Sequence, residues 1–102
     1  MQFLAIMKGN PDAPKEKLAA LQKQETLQAW EMTKADVMRS LWYIPGDHGP
    51  LGTVALLECA DRQDAEAQCH RFPFVANGVV NLELVPLSPC TAYELLFAAP
   101  TE

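Results

Sequence analysis

The chain has no apolar run approaching the roughly 20 residues that a membrane-spanning helix needs, and it has no cluster of lysine or arginine. Its 8 basic residues stand against 13 acidic ones, for a net charge of −5. Phosphate recognition needs a concentrated basic patch, and so does docking on anionic lipid. Neither nucleic acid nor a membrane is therefore an expected partner. Cysteine is scarce and odd in number, with Cys59, Cys69 and Cys90 far apart in sequence. None forms a CxxC pair, and Cys69-His70 lacks the first cysteine of a haem-attachment motif, so all three read as reduced thiols. The 2 histidines, His48 and His70, have no close carboxylate pattern and give no metal signature. Internal repeats and low-complexity tracts are absent too. Met1 to Met7 has neither the basic start nor the small-residue cleavage site of a secretory signal, which leads us to expect the cytoplasm.

What is present is a hydrophobic fraction of 49% in 102 residues, enough for one domain with a single modest core. Phe3 to Met7 reads as a first strand. Gly9-Asn10-Pro11-Asp12 is a turn, and Asp12 is placed to cap a helix running from about Pro14 to Lys34. Val37 to Ile44 reads as a second strand, with Val37, Arg39, Leu41 and Tyr43 on one face and Met38, Ser40, Trp42 and Ile44 on the other. A loop follows at Pro45-Gly46-Asp47-His48-Gly49-Pro50. Gly52 to Cys59 is a third strand. Asp61 then caps a second helix to about Arg71, whose inner side carries Ala65, Cys69 and Phe72. Phe72 to Gly78 connects to a fourth strand, Val79 to Val85. Pro86 and Pro89 are expected to end regular structure, ahead of an apolar tail with Tyr93 and Phe97.

Within the first helix, 100° per residue gathers Leu18, Leu21, Ala29 and Met32 on one face. Glu25 falls within roughly 20° of the centre of that face. A carboxylate aimed at a core costs several kcal/mol unless it is paired, protonated or facing a wet cavity. Glu25 is thus either half of a structural ion pair or a group kept for chemistry.

The order β-α-β-β-α-β is the ferredoxin-like arrangement, an α+β fold with a four-stranded antiparallel sheet. Right-handed crossovers put both helices on one sheet face. The other face is left bare, and an apolar face of that extent marks an association surface. A sheet-to-sheet homodimer, a dimeric α+β barrel, is the expected assembly. We divide the chain into a domain over 1–89 and a tail over 90–102 that packs on the domain or on a neighbouring subunit.

Four segments together resemble the muconolactone isomerase family. They are Arg39-Ser40-Leu41-Trp42 followed by Pro45-Gly46, then Leu56-Leu57-Glu58, then Arg71-Phe72-Pro73-Phe74-Val75, and finally Glu83-Leu84-Val85-Pro86-Leu87-Ser88-Pro89. Counted back without a gap from Leu41-Trp42, Glu25, Glu31 and Arg39 also match family-like positions. The resemblance implies a dimeric α+β barrel, often built into higher oligomers. It also implies cofactor-free isomerisation or dehalogenation of small unsaturated lactones in aromatic-compound catabolism. Tyr43 departs from it by standing where the isomerases tend to carry a basic residue, which weighs against an anionic muconolactone. The Asp47-His48-Gly49 loop and the apolar tail after Pro89 are further departures.

These readings give a candidate site. Glu25 is the candidate general base or acid, since proton transfer beside a carbonyl needs a carboxyl whose pKa partial burial has raised. Its bland alternative is a pair with Arg39. Arg39 would otherwise hold a substrate carboxylate in a bidentate grip, or pair with Glu31. Tyr43 is a candidate donor to a carbonyl or else a packing aromatic, and Trp42, on the opposite face, is packing. His48 sits in a loop that could cover a pocket mouth, and His70 near a helix end is either a dipole contact or a pocket group. Phe72 and Phe74 seal one end of the core and wall the cavity, while Cys69 is a small apolar residue. The leading function is a cofactor-free isomerase acting on a small unsaturated lactone or related cyclic carbonyl compound. The alternatives are a cofactor-independent oxygenase or polyketide-tailoring enzyme of the same fold, and a non-catalytic small-molecule-binding or assembly protein.

Overall fold

The computed structural model describes residues 1–98, and the last four residues of the expected tail over 90–102 lie outside them. The elements run β1 (Gln2–Gly9), α1 (Lys15–Lys34), β2 (Met38–Ile44), β3 (Gly52–Glu58), α2 (Arg62–Cys69), α3 (Pro73–Ala76) and β4 (Val80–Leu87). A short 3-10 helix, Ala92–Leu96, follows. The four strands form one antiparallel sheet in the order β2-β3-β1-β4, which is the ferredoxin-like topology.

Register fixes which side chains face the helices, because successive residues of a strand point to opposite faces. Phe3, Ala5 and Met7 of β1 pair with Leu57, Ala55 and Thr53 of β3. On the other side they pair with Pro86, Leu84 and Leu82 of β4. Phe3, Ala5, Ala55 and Leu57 are fully buried, and Met32, Ala65, Cys69 and Phe72 close the core from the helix layer. The opposite face carries Leu4, Ile6, Val54, Leu56, Trp42, Ile44 and Val85, an apolar sheet surface that no element among the described residues covers.

The ends of the elements have local causes. After α1, Asp36 takes φ 60°, its N–H donates to the Thr33 carbonyl, and Val37 N–H donates to the Met32 carbonyl at 3.0 Å. That pair of bonds is a Schellman termination, and it stops the helix at Lys34. Asp61 caps α2 as expected, its carboxylate accepting from the Asp64 N–H at 2.8 Å. At Gly52 a side chain would collide with the Met7 carbonyl and come within 2.8 Å of the Lys8 Cα. Only glycine lets β3 start that close to β1.

Four expectations change. Asp12 does not cap α1: its N–H instead donates to the Asn10 side-chain oxygen at 3.0 Å, and the helix starts after Pro14 with no side-chain cap. Asn10 also donates from its amide to the Gly78 carbonyl, so the turn is tied down by the asparagine. The Phe72–Gly78 connection contains the helical turn α3, started by Pro73 at its first position. Pro86 does not end β4, which continues to Leu87; β4 is an edge strand, where the missing N–H is tolerated. The strict alternation assigned to β2 also fails. The pairing steps from Met38↔Leu57 to Ser40↔Leu56, so Arg39 is the extra residue of a β-bulge. Met38 therefore faces the core, together with Leu41 and Tyr43, and Arg39 does not.

Candidate functional site

The N-terminal half of α1 does not close onto the sheet. Met32 is the buried residue of this helix, whereas Leu18 is exposed and Leu21, Glu25 and Ala29 are half-buried. Alanine at 29 and a polar run at Gln22, Glu25 and Thr26 leave too little apolar volume to fill the wedge between helix and strands. What remains is a cavity of about 380 Å³, open on one side. Its helix wall is Leu18, Gln22, Glu25, Thr26 and Ala29, its floor Met7, Thr53 and Val80, and its far wall Leu41 and Tyr43 from β2. Phe72 and Phe74 close one end, and Pro50 and Leu51 supply a lip from the β2–β3 loop.

Among the described residues, Glu25 is the one carboxylate that lines the cavity. Its Oε1 accepts a hydrogen bond from the Phe74 backbone N–H at 2.9 Å. That N–H belongs to the first turn of α3, whose N-cap residue Phe72 offers no side-chain acceptor. Glu25 thus caps a helix 49 residues away in sequence, satisfying a donor that would otherwise be orphaned. Burial raises the Glu25 pKa above the ordinary 4.5, and the Phe74 N–H, which favours the charged form, partly offsets this. The residue is a carboxylate held in place by the backbone, with its proton affinity raised and one side turned to open space.

The structure brings Glu25, Tyr43, Phe72 and Phe74 around one cavity and leaves Arg39, His48 and His70 outside it. Arg39, displaced by the bulge, is exposed and donates from Nε to the Asp36 carbonyl at 3.0 Å. The Glu25–Arg39 pair, the alternative reading of Glu25, is not formed, and Glu31 pairs with Lys34 at 2.9 Å. His48 is exposed in the β2–β3 loop, which reaches the cavity through Pro50 and Leu51. His70, at the C-cap of α2, has Nδ1 2.7 Å from the Glu66 carbonyl, the helix-end contact that was one of its two readings. Tyr43 lines the cavity mouth but is 70% exposed, and Trp42 lies on the bare sheet face. Burial pushes the Cys69 thiol up to about 12, in keeping with an inert apolar role. Among the described residues there is no group of three or more His, Cys, Asp or Glu placed to hold a metal ion.

The polar lining residues Gln22, Thr26 and Thr53, and Leu51 of the lip, went unread in the sequence. Gln22 stands at i−3 from Glu25 and Thr26 follows it on the cavity side of α1, and Thr53 is the register partner of Tyr43. Leu51 was hidden because a loop carries no periodic signal.

No family model and no curated protein matches the chain. Solved structures do. The crystal structure of muconolactone isomerase superposes with a TM-score of 0.71 over 90% of this chain and 93% of that one, at 18% identity. The fold is that of muconolactone isomerase. A second match is 5-chloro-2-hydroxyhydroquinone dehydrochlorinase from Burkholderia phenoliruptrix AC1100, in complex with 2,5-dihydroxybenzoquinone. It has a TM-score of 0.63 and 14% identity, covering 86% of this chain and 94% of that one. At these identities the likeness concerns the fold.

Proposed function

We propose that the chain is a cofactor-free enzyme that moves a proton within a small cyclic carbonyl compound, such as an unsaturated lactone or cyclic enone. One observation carries the proposal: Glu25 is a backbone-anchored carboxylate, its proton affinity raised by burial, on the wall of an open cavity of about 380 Å³. A cavity of that size falls within the usual range for small-ligand sites. A general base works best when its pKa approaches the working pH, and burial moves Glu25 in that direction.

In the reaction, Glu25 takes a proton from the γ-carbon of the α,β-unsaturated carbonyl compound. The C–H electron pair passes through the conjugated system to the carbonyl oxygen, and the Tyr43 hydroxyl, from the far wall, donates a hydrogen bond to that enolate. The carboxylic acid, whose proton exchanges with water at the open cavity, then returns a proton two carbons along, so the double bond shifts and the sum of atoms is unchanged. The test is proton exchange in deuterated water, followed by NMR, with a panel of unsaturated lactones and enones. Glu25→Gln should lower the exchange rate by about 10²–10⁴, the usual contribution of a general base. Equal exchange by the wild-type protein and Glu25→Gln would remove Glu25 from the mechanism.

The bare sheet face and the tail support a second component of the proposal, self-association. Tyr93, Leu95, Leu96 and Phe97 of the tail are all strongly exposed, Phe97 at 85%. The hydrogen bonds of this segment, from Glu94 N–H to Thr91 and from Phe97 N–H to Glu94, are local ones. Exposed apolar surface on this scale is normally an interface. The sheet face pairs with a second copy of this chain, and the tail docks on a neighbouring copy.

A further inference from the structure

The charges around the cavity specify a class of ligand. Of the chain's 8 lysines and arginines, none lines the cavity, and neither histidine does. Three basic side chains have partners outside the cavity. Arg39 is held by the Asp36 carbonyl, Lys34 by Glu31, and Arg62 lies over the Phe3 ring and reaches the Leu84 carbonyl. Lys8 projects from the opposite sheet face, since its register partners are Gly52 and Asn81 and its neighbour Met7 faces the core. The remaining polar lining is neutral, an amide at Gln22 and hydroxyls at Thr26, Thr53 and Tyr43. A tail supplied by another copy brings no cation either, because Ser88 to Glu102 contains two glutamates and no lysine or arginine.

An anionic ligand in this space loses water and meets a carboxylate instead of a counter-ion, which disfavours it twice. An uncharged ring loses little on leaving water, gains from the aromatic and aliphatic walls, and can donate a hydroxyl or present a polarised C–H to Glu25. Resting on the reading of this cavity as the substrate site, we infer that it selects uncharged one- or two-ring compounds bearing a carbonyl or hydroxyl, and rejects carboxylates of the same shape. The size agrees, since a cavity of about 150 Å³ already holds one benzene ring. Selection of this kind works by an unfavourable element built against the wrong ligand, and here Glu25 is that element.

The test is titration at neutral pH of two matched pairs, hydroquinone against para-hydroxybenzoate and coumarin against its ring carboxylate. The amide resonances of Phe74 and Thr53 locate the binding. We expect each neutral member to bind about tenfold or more tighter than its carboxylate, a factor typical of one unfavourable contact of about 1.4 kcal/mol. Glu25→Gln should shrink that ratio by loosening the discrimination, and Gln22→Lys, at an exposed helix position on the rim, should raise carboxylate affinity about tenfold. A carboxylate that binds wild-type protein as tightly as its neutral partner, while shifting Phe74 and Thr53, overturns the inference and leaves the cavity as the substrate site. If no member of either pair shifts those amides, the site reading falls and the inference falls with it.

Discussion

Replacing Glu25 separates its two roles, because alanine and glutamine undo different parts of its environment. Alanine removes the acceptor for the Phe74 N–H, now bonded at 2.9 Å, and leaves the first turn of α3 without a cap. A hydrogen bond to a charged group contributes about 1.5–3 kcal/mol net. Solvent on the cavity side screens the charge and can replace the lost acceptor in part, which discounts that figure to about 1–2 kcal/mol. For a domain of this length that is a fall in Tm of about 5–10 °C. Glutamine keeps an acceptor for Phe74 and relieves the desolvated charge, so Glu25→Gln should be as stable as wild type or slightly more stable at neutral pH. The sign of the pH effect follows from the raised pKa. The folded state holds the Glu25 proton to higher pH than the unfolded chain does. The carboxyl's stabilising contribution is therefore complete below about 4.5 and is lost as pH rises through the folded value. Glutamine does not titrate, so its advantage over wild type should be present at pH 7 and disappear near pH 4. Urea denaturation of wild type, Glu25→Ala and Glu25→Gln at both pH values, at one fixed protomer concentration, measures all three terms. Equal stability of the alanine and glutamine variants would show that the cap contributes nothing. A glutamine advantage that grows toward acid would reverse the assigned direction of the pKa shift.

Phe72→Ala should cost about 3–5 kcal/mol in denaturant unfolding, since the ring is 1% exposed and sits where core and cavity meet; a cost under 1 kcal/mol would mean that the site collapses freely. Gly52→Ala should destabilise by about 1–3 kcal/mol or prevent folding, because the new methyl meets the backbone of Met7 and Lys8; wild-type stability would refute the close approach. Trp42→Glu should convert a dimer to a monomer in light scattering, as Trp42 pairs with Val54 on the bare sheet face, and a wild-type protein that is already monomeric would defeat the proposed interface. Phe97→Asp should lower the oligomer mass or loosen its assembly without changing monomer stability; an unaltered mass at every concentration would leave the tail without its proposed partner.

The fold was legible because its signals are periodic and local. Helix α1 announced itself by 100° spacing, and α2 by an aspartate cap that forms as read. The order of elements then constrained the sheet. Pro86 was misread because edge position, which makes a strand proline tolerable, is a property of topology and not of sequence. Asp12 was misread because two neighbours, Asn10 and Asp12, offered competing side-chain acceptors, and Asn10 also reaches Gly78 across 68 residues. Glu25 stood out for being polar at an apolar position, but its partner did not. The bond it accepts comes from a main-chain N–H, which every residue but proline carries and which therefore leaves no mark in the sequence.

The bulge at Arg39 has the widest consequences. Without it, alternation would put Val37, Arg39, Leu41 and Tyr43 on one face and aim a guanidinium toward the helices. One extra residue moves Met38 into the core and turns Arg39 outward to the Asp36 carbonyl. That single register step keeps the Arg39 guanidinium off the cavity wall, where Leu41 and Tyr43 stay. The result is a cavity whose charge is set by Glu25 alone among its lining residues. The same carboxylate then disfavours anionic ligands, caps α3 and supplies the proposed base. Because these effects share one residue, a loss of turnover in Glu25→Ala would mix a local unfolding of α3 with a loss of chemistry. Glu25→Gln, which preserves the acceptor and removes the base, is the variant in which the two come apart.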